Sequence, residues 1–249
     1  MIVKGYKTHK IQPNESIFTI LDTYLPKIEE KSIVAIASKV VGICEGRVVK
    51  KESDEQKDEL AKQEADLYLS REFNQYGYMI TINRNLMVAS AGIDESNSNG
   101  FYSLWPKDPQ KSVNDIRNYL IKKHKLTYIG VILTDSRLSP LRWGVTGASI
   151  SYSGFHALNS YINKPDIYGQ KMRAERANMI DSLATAAVIE MGEGNEQRPL
   201  ALITEMSLVR FQKRNPTQKE LDALHISMED DIYASLLTRV DWKKGKKKS

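Results

Sequence analysis

KSIVAIASKVVGIC, residues 31–44, is the stretch on which the layout of the chain turns. Its near-continuous apolar character reads as a strand, and Glu45-Gly46 reads as the turn into a second strand at Arg47 to Val49. Lys39 sits inside that run, where an ammonium is costly to bury unless it meets an anion or a carboxylate. Ser38-Lys39 is therefore a candidate phosphate contact; the alternative is an edge lysine that snorkels to water.

Upstream, Pro13-Asn14 precedes Ile17, Ile20, Leu21 and Tyr24, a helical spacing with Asn14 as N-cap. Downstream, residues 51–71 are highly charged and carry helix-supporting pairs such as Asp58 with Lys62, which predicts a solvated helix. Strand-like runs follow at Tyr78 to Ile82 and Leu86 to Ala91, then a helix opened by Ser112 with Val113, Ile116 and Leu120 on one face. Tyr128 to Leu133 reads as an apolar strand that delivers Thr134-Asp135-Ser136. Gly144, Gly147, Gly154 and Gly169 predict loops and irregular strands. Arg173 to Met191 reads as a helix with Ala177, Ile180, Ala184, Ala187 and Met191 as its stripe, ending at Gly192 before a strand at Leu200 to Thr204. Thr217 with Glu220, and Ser227 with Asp230, are capping-box patterns for two further helices. Strands and helices alternating with several hairpins predict an α+β fold with mixed or largely antiparallel sheets and flanking helices. No repeat or linker divides residues 1–242, which read as a single domain.

The chain has 249 residues, 41% hydrophobic and 27% charged, an ordinary globular composition with length for a full core. Its formal charge is +5, yet Lys243 to Ser249 (KKGKKKS) holds five lysines, and residues 1–242 carry 31 basic and 31 acidic side chains. The pI near 9.0 thus belongs to a tail, expected to be disordered, and is no sign of a nucleic-acid-binding body. No apolar run approaches the roughly 20 residues that cross a bilayer, and MIVKGYKTHK lacks the apolar core of a signal peptide. The one cysteine, Cys44, forbids an intrachain disulfide and reads as a packing residue. A cytoplasmic protein without membrane or nucleic-acid partners is expected.

Asp94 and Asp135 each follow an apolar strand-like run and lie among small polar residues. Two carboxylates with Ser96, Asn97 and Ser136 suit Mg²⁺ or Mn²⁺; the plainer reading is two Asx-turn or cap residues. Glu190, Glu193 and Glu196 surround Met191-Gly192 where a helix dipole opposes negative charge, so a compensating cation is attractive there. The four histidines (His9, His124, His156, His225) form no close ligand pair, and no P-loop, nucleophile elbow or dinucleotide fingerprint occurs.

Taken in order, SKVV (38–41) with EGRVV (45–49), AGIDESN (91–97), PKDP (106–109), VILTDS (131–136), and Ala186-Ala187 with Met191-Gly192-Glu193 resemble the coenzyme F420-0:L-glutamate ligase family over roughly residues 3–205. The resemblance implies an enzyme that uses GTP, or ATP, with two divalent ions and K⁺ as a further cation. Such an enzyme joins glutamate through its amine to a carboxylate acceptor, as an intertwined homodimer. By motif, Asp94, Asp135, Ser136 and Glu193 look like metal ligands, and Ser38, Lys39 and Asn97 like nucleotide contacts. Met191-Gly192-Glu193 resembles a segment lining the nucleotide, and Thr8, His9, Lys10 and Ile11 fall where the family has an N-terminal nucleotide loop. Lys39, Asp135 and Arg142 are the implied catalytic residues.

Two departures stand out. Ile43 occupies the place of a second lysine, so one cationic phosphate contact is missing or comes from elsewhere. RLSPLRWG (137–144), with Tyr152-Ser153-Gly154-Phe155, is more similar to a folate-metabolism γ-glutamate ligase branch, which leaves the deazaflavin precursor F420-0 and a folate-type pterin both open as acceptor. The competing readings are a non-catalytic nucleotide- or cofactor-binding protein on the same scaffold and a two-metal phosphohydrolase.

Overall fold

The structure is a computed structural model that describes residues 1–247. Strand β1 (Ile2–Tyr6) leads through helix α1 (Ile17–Tyr24) to β2 (Ser32–Ala37). Ser16 caps α1, accepting from the Thr19 N–H, whereas Asn14 takes a left-handed backbone (φ 66°) two residues earlier. The run expected to continue as strand breaks at Ala37, and Ser38–Cys44 is a helix, α2. Val40, Val41, Gly42 and Ile43 are all buried, so α2 has no polar face to betray its period, and an apolar run of this kind looks the same in sequence as a buried strand. β3 (Val48–Lys50) accordingly pairs with β7 (Phe101–Ser103) and not with β2.

Between them lie α3 (Asp54–Glu64), capped by Ser53, and the strands β4 (Leu67–Leu69), β5 (Ile80–Asn83) and β6 (Leu86–Ala89). The charged segment is thus a helix only to Glu64 and a strand at 67–69. α4 (Pro109–His124) starts before Ser112, with Asp108 accepting from the Lys111 N–H. β8 (Ile129–Leu138) runs on through Thr134-Asp135-Ser136, so Asp135 lies within a strand, just past a register shift at Leu133/Thr134. The glycine-rich stretch forms a regular strand, β9 (Val145–Ser153), then β10 (Leu158–Ser160), which pairs with β11 (Arg176–Asn178). α5 (Met179–Met191) is shorter than expected, and Ala177 belongs to β11. β12 (Leu200–Thr204) follows, then α6 (Gln218–Asp222) with its capping box, α7 (Ala234–Leu237) and β13 (Lys243–Lys244). Ser227 bonds the Asp230 N–H as the second box predicts, but closes a turn, not a helix.

The fold is α+β, with mostly antiparallel sheets. The largest has the order β1-β12-β2-β8-β9, and β2 against β8 is its one parallel pair. On one face Val34, Ile36, Val131 and Leu133 pack under α1 and α4; on the other Ile33, Ala35 and Ile132 pack under α5. Burial on both faces explains why β2 and β8 read as unbroken apolar runs. A second lobe has the order β13-β4-β5-β6, with α3 packed against the 90–92 turn beside it. The lysine-rich end, expected to be disordered, contributes to this lobe: β13 pairs with Tyr68 and Leu67, and Lys246 and Lys247 reach Glu59 and Asp66. Lys248 and Ser249 lie outside the described residues.

At Gly42 an added Cβ would stand 2.1 Å from the Leu104 carbonyl oxygen, so glycine lets α2 rest on the backbone that joins the lobes. Gly42→Ala is expected to destabilise by about 1–3 kcal/mol, the usual cost of overpacking, read as a lower midpoint in urea unfolding.

Candidate active site

Because β2 and β8 run the same way, with Ala37 opposite Thr134, their C-terminal ends leave the sheet at one edge. Ser38-Lys39 begins α2 at that edge and Asp135-Ser136 continues β8 beside it. Beyond the carboxyl ends of parallel strands is where open sheets receive ligands. The end of α5 brings Met191-Gly192-Glu193 to the same edge, the second lobe supplies the loop Asp94–Asn97, and Thr8–Gln12 closes the side after β1. These five segments line one cavity of about 840 Å³.

The Lys39 ammonium forms an ion pair with the Asp94 carboxylate and donates to the Ser96 carbonyl at 2.6 Å and the Ser96 hydroxyl at 3.3 Å. Asp94 also accepts from the Ser96 N–H and hydroxyl at 2.8 and 2.9 Å. Burial acts to raise the Asp94 carboxyl, but Lys39 and Ser96 outweigh it and hold it below the usual carboxylate range. Asp135 shows the opposite balance. Burial pushes its carboxyl up to about 6, against the Ser136 N–H and the Trp105 indole N–H that both donate to it. The Ser136 hydroxyl donates to Glu193 at 2.6 Å, and the Asn97 amide bridges to the Gly194 carbonyl at 2.8 Å, tying the Asp94 loop to the Glu193 loop.

Hard oxygen donors from Asp94, Asp135, Ser136 and Glu193 fit Mg²⁺ or Mn²⁺ in kind. Among the described residues, however, no three His, Cys, Asp or Glu side chains form a metal-binding group. It is the Lys39 ammonium that balances Asp94.

The sequence profile of F420-0:Gamma-glutamyl ligase matches residues 5–205. The chain belongs to this family. It is 32% identical to the coenzyme F420:L-glutamate ligase of Methanococcus maripaludis, over 94% of this chain and 97% of that one. It is 30% identical to the protein of the same name from Methanopyrus kandleri, over 82% and 86%, and 31% to that of Methanocaldococcus jannaschii, over 71% and 76%. The family is one of ligases that form a carbon–nitrogen bond.

Of the fourteen residues that the family resemblance assigns to the site, thirteen line the cavity: Thr8, His9, Lys10, Ile11, Ser38, Lys39, Asp94, Asn97, Asp135, Ser136, Met191, Gly192 and Glu193. Thr8 is buried and exchanges backbone and side-chain bonds with Gln197; the His9 ring lies between the Tyr24 hydroxyl and the Glu15 carboxylate, at 2.7 Å from each. Arg142 does not line it. It sits in the exposed β8–β9 turn beside Leu141 and Trp143, which are 100% and 92% exposed. Ile43, at the place of the expected second lysine, does line the cavity, and so do two cations, Lys10 and Arg198. The Arg198 guanidinium makes one long bond, 3.4 Å to the Glu190 carbonyl. Sequence reasoning passed over Arg198 and Trp105, which carry no local signal; Ser96, grouped from sequence with Asn97 and Ser136 beside the two aspartates, lines the cavity too. Cys44 packs half-buried, and burial pushes its thiol up to about 12, as an inert thiol requires.

The raised Asp135 carboxyl makes a signed prediction. Between about pH 7 and 4 the folded state takes up a proton at Asp135 that the unfolded state, with its ordinary carboxyl, does not, so acidification favours the folded protein at this residue. The difference in Tm between wild type and Asp135→Ala should therefore move in favour of wild type as the pH falls across that window, measured by calorimetry.

Proposed function

We propose that the chain is a nucleotide-dependent γ-glutamyl ligase that adds L-glutamate to the carboxylate of coenzyme F420-0. The observation that carries the reading is one cavity lined together by Lys39, Asp94, Asp135, Ser136 and Glu193, in a chain of this family. The family's description names F420-0 and the relatives' shared name coenzyme F420, which together support F420-0 as acceptor. The RLSPLRWG segment that favoured folate forms the end of β8 and the β8–β9 turn, and no residue from 137 to 144 lines the cavity of its own chain.

In the proposed reaction an oxygen of the acceptor carboxylate attacks the γ-phosphorus of GTP or ATP, expelling the nucleoside diphosphate and leaving an acyl phosphate. The amine of glutamate then attacks the acyl carbon, inorganic phosphate departs, and the nitrogen loses a proton to solvent as the amide forms. Asp94, Asp135, Ser136 and Glu193 would hold Mg²⁺ or Mn²⁺, whose charge offsets the triphosphate. Lys39 shifts from Asp94 to the phosphates, a short move for a flexible ammonium. Arg198 and Lys10 supply the cationic contacts that Ile43 lacks. Thr8–Ile11 and Asn97 border the space for the nucleoside.

A homodimer belongs to the same reading. The apolar tip of the β8–β9 hairpin, Leu138, Leu141 and Trp143, is a surface that favours burial against a second copy, and it would carry Arg142 toward that copy.

Incubating the protein with F420-0 and a folate acceptor together, with glutamate, GTP, ATP and Mn²⁺, should yield a glutamylated F420-0 product by mass spectrometry. A product from the folate acceptor alone would overturn the acceptor, glutamate-independent phosphate release would point to a phosphohydrolase, and nucleotide binding without product to a binding protein. Asp135→Ala should abolish turnover, and Arg198→Ala should raise the KM for nucleotide about tenfold or more, the loss of one charge-assisted bond. In sedimentation velocity the wild type should run as a dimer and Trp143→Ser should shift toward monomer.

A further inference from the structure

Trp105 belongs to none of the motif assignments, yet its indole touches both the Asp135 carboxylate and the turn that leads into Asp94. It is 3% exposed, on the stretch after β7, and Arg47 holds that stretch twice: the Leu104 N–H donates to the Arg47 carbonyl at 3.0 Å and Arg47 Nε donates to the Trp105 carbonyl at 3.1 Å. The indole N–H donates to Asp135 Oδ2, while Asp135 Oδ1 takes the Ser136 N–H. Against the same ring lies the turn Ser90–Gly92 that leads into Asp94. A Cβ at Gly92 would stand 2.2 Å from the indole ring, and Gly92 has φ +79°, so the turn rests directly on Trp105.

We propose that Trp105 is a positioning residue for Asp135, and that its indole N–H, not its bulk alone, sets the carboxylate's orientation toward a bound divalent cation. This rests on the reading of Asp94 and Asp135 as metal ligands. An ionised carboxylate oxygen has room for more than one partner, so an N–H on Oδ2 fixes the plane of the group and leaves a lone pair directed at the cavity. Hydrogen bonds of this kind to a ligating group typically govern affinity by about 10- to 100-fold. Because the same ring supports the Gly92 turn, it also keeps Asp135 in register with Asp94 across the two lobes.

The test is Mn²⁺ binding by the full chain, followed by electron paramagnetic resonance, with a non-hydrolysable GTP analogue at saturation. Trp105→Phe should weaken Mn²⁺ by about 10- to 100-fold, and benzothienylalanine at 105, which keeps the two-ring shape without the N–H, should weaken it equally at an unchanged Tm. Wild-type affinity in the benzothienylalanine protein overturns the inference even if Trp105→Phe fails to fold. Asp135→Ala separates the two levels: if it binds Mn²⁺ like the wild type, or the wild type binds none, the metal reading itself falls and takes this inference with it. If Asp135→Ala loses Mn²⁺ while both position-105 variants keep it, only the role of Trp105 is overturned.

Discussion

Everything at the site depends on the parallel pairing of β2 with β8. A strand of β2's length spans about 20 Å, so an antiparallel pair would put Lys39 and Asp135 at opposite ends of the sheet. With Ala37 opposite Thr134 they leave it side by side. The pairing is secured by burial on both faces: Ile33, Val34, Ile36, Val131, Ile132 and Leu133 are all fully buried, and each contributes about 1.5–3 kcal/mol relative to exposure. A one-residue slip would exchange the faces under α4 and α5, so the register that aligns the site is the one the core enforces.

The other half of the site comes from the second lobe, at a conformational cost. Ser90, Ala91 and Asn97 have φ of 46°, 56° and 48°, a region that side chains with a Cβ enter only with strain of about 1–3 kcal/mol each. The strained residues flank Asp94, which must lean across to meet Lys39. Local charge follows the same logic: the carboxylates of Asp94, Asp135 and Glu193 share the cavity with Lys10 and Arg198, which form no salt bridge among the described residues.

How much of this was legible in the sequence differs by element, for physical reasons. β8 and β12 could be read from their apolar runs, and α1 from its periodicity. α2 could not be, since a short helix buried all round shows no stripe, and with it the hairpin expected at Glu45-Gly46 dissolved into a crossover between lobes. Nine of the cavity-lining positions could be read because their blocks are local motifs, whereas Thr8–Ile11 rest on position alone. Arg198 and Trp105 act through contacts set by tertiary structure, to the Glu190 carbonyl and the Asp135 carboxylate, which no local spacing encodes. Arg142, a motif neighbour, is carried by the β8–β9 turn away from the cavity of its own chain. The charge of +5, which the sequence places in a tail, is partly tied into a sheet: Lys243 and Lys244 pair with β4, and Lys246 and Lys247 meet Glu59 and Asp66.

The most direct measurement is a crystal structure grown with Mn²⁺ and a non-hydrolysable GTP analogue, with diffraction collected at the manganese absorption edge. Manganese peaks against Asp94 and Asp135, with the Lys39 ammonium moved from Asp94 onto the phosphates, are the predicted result. Analogue bound in the cavity with Lys39 still paired to Asp94 and no manganese at either aspartate would contradict it.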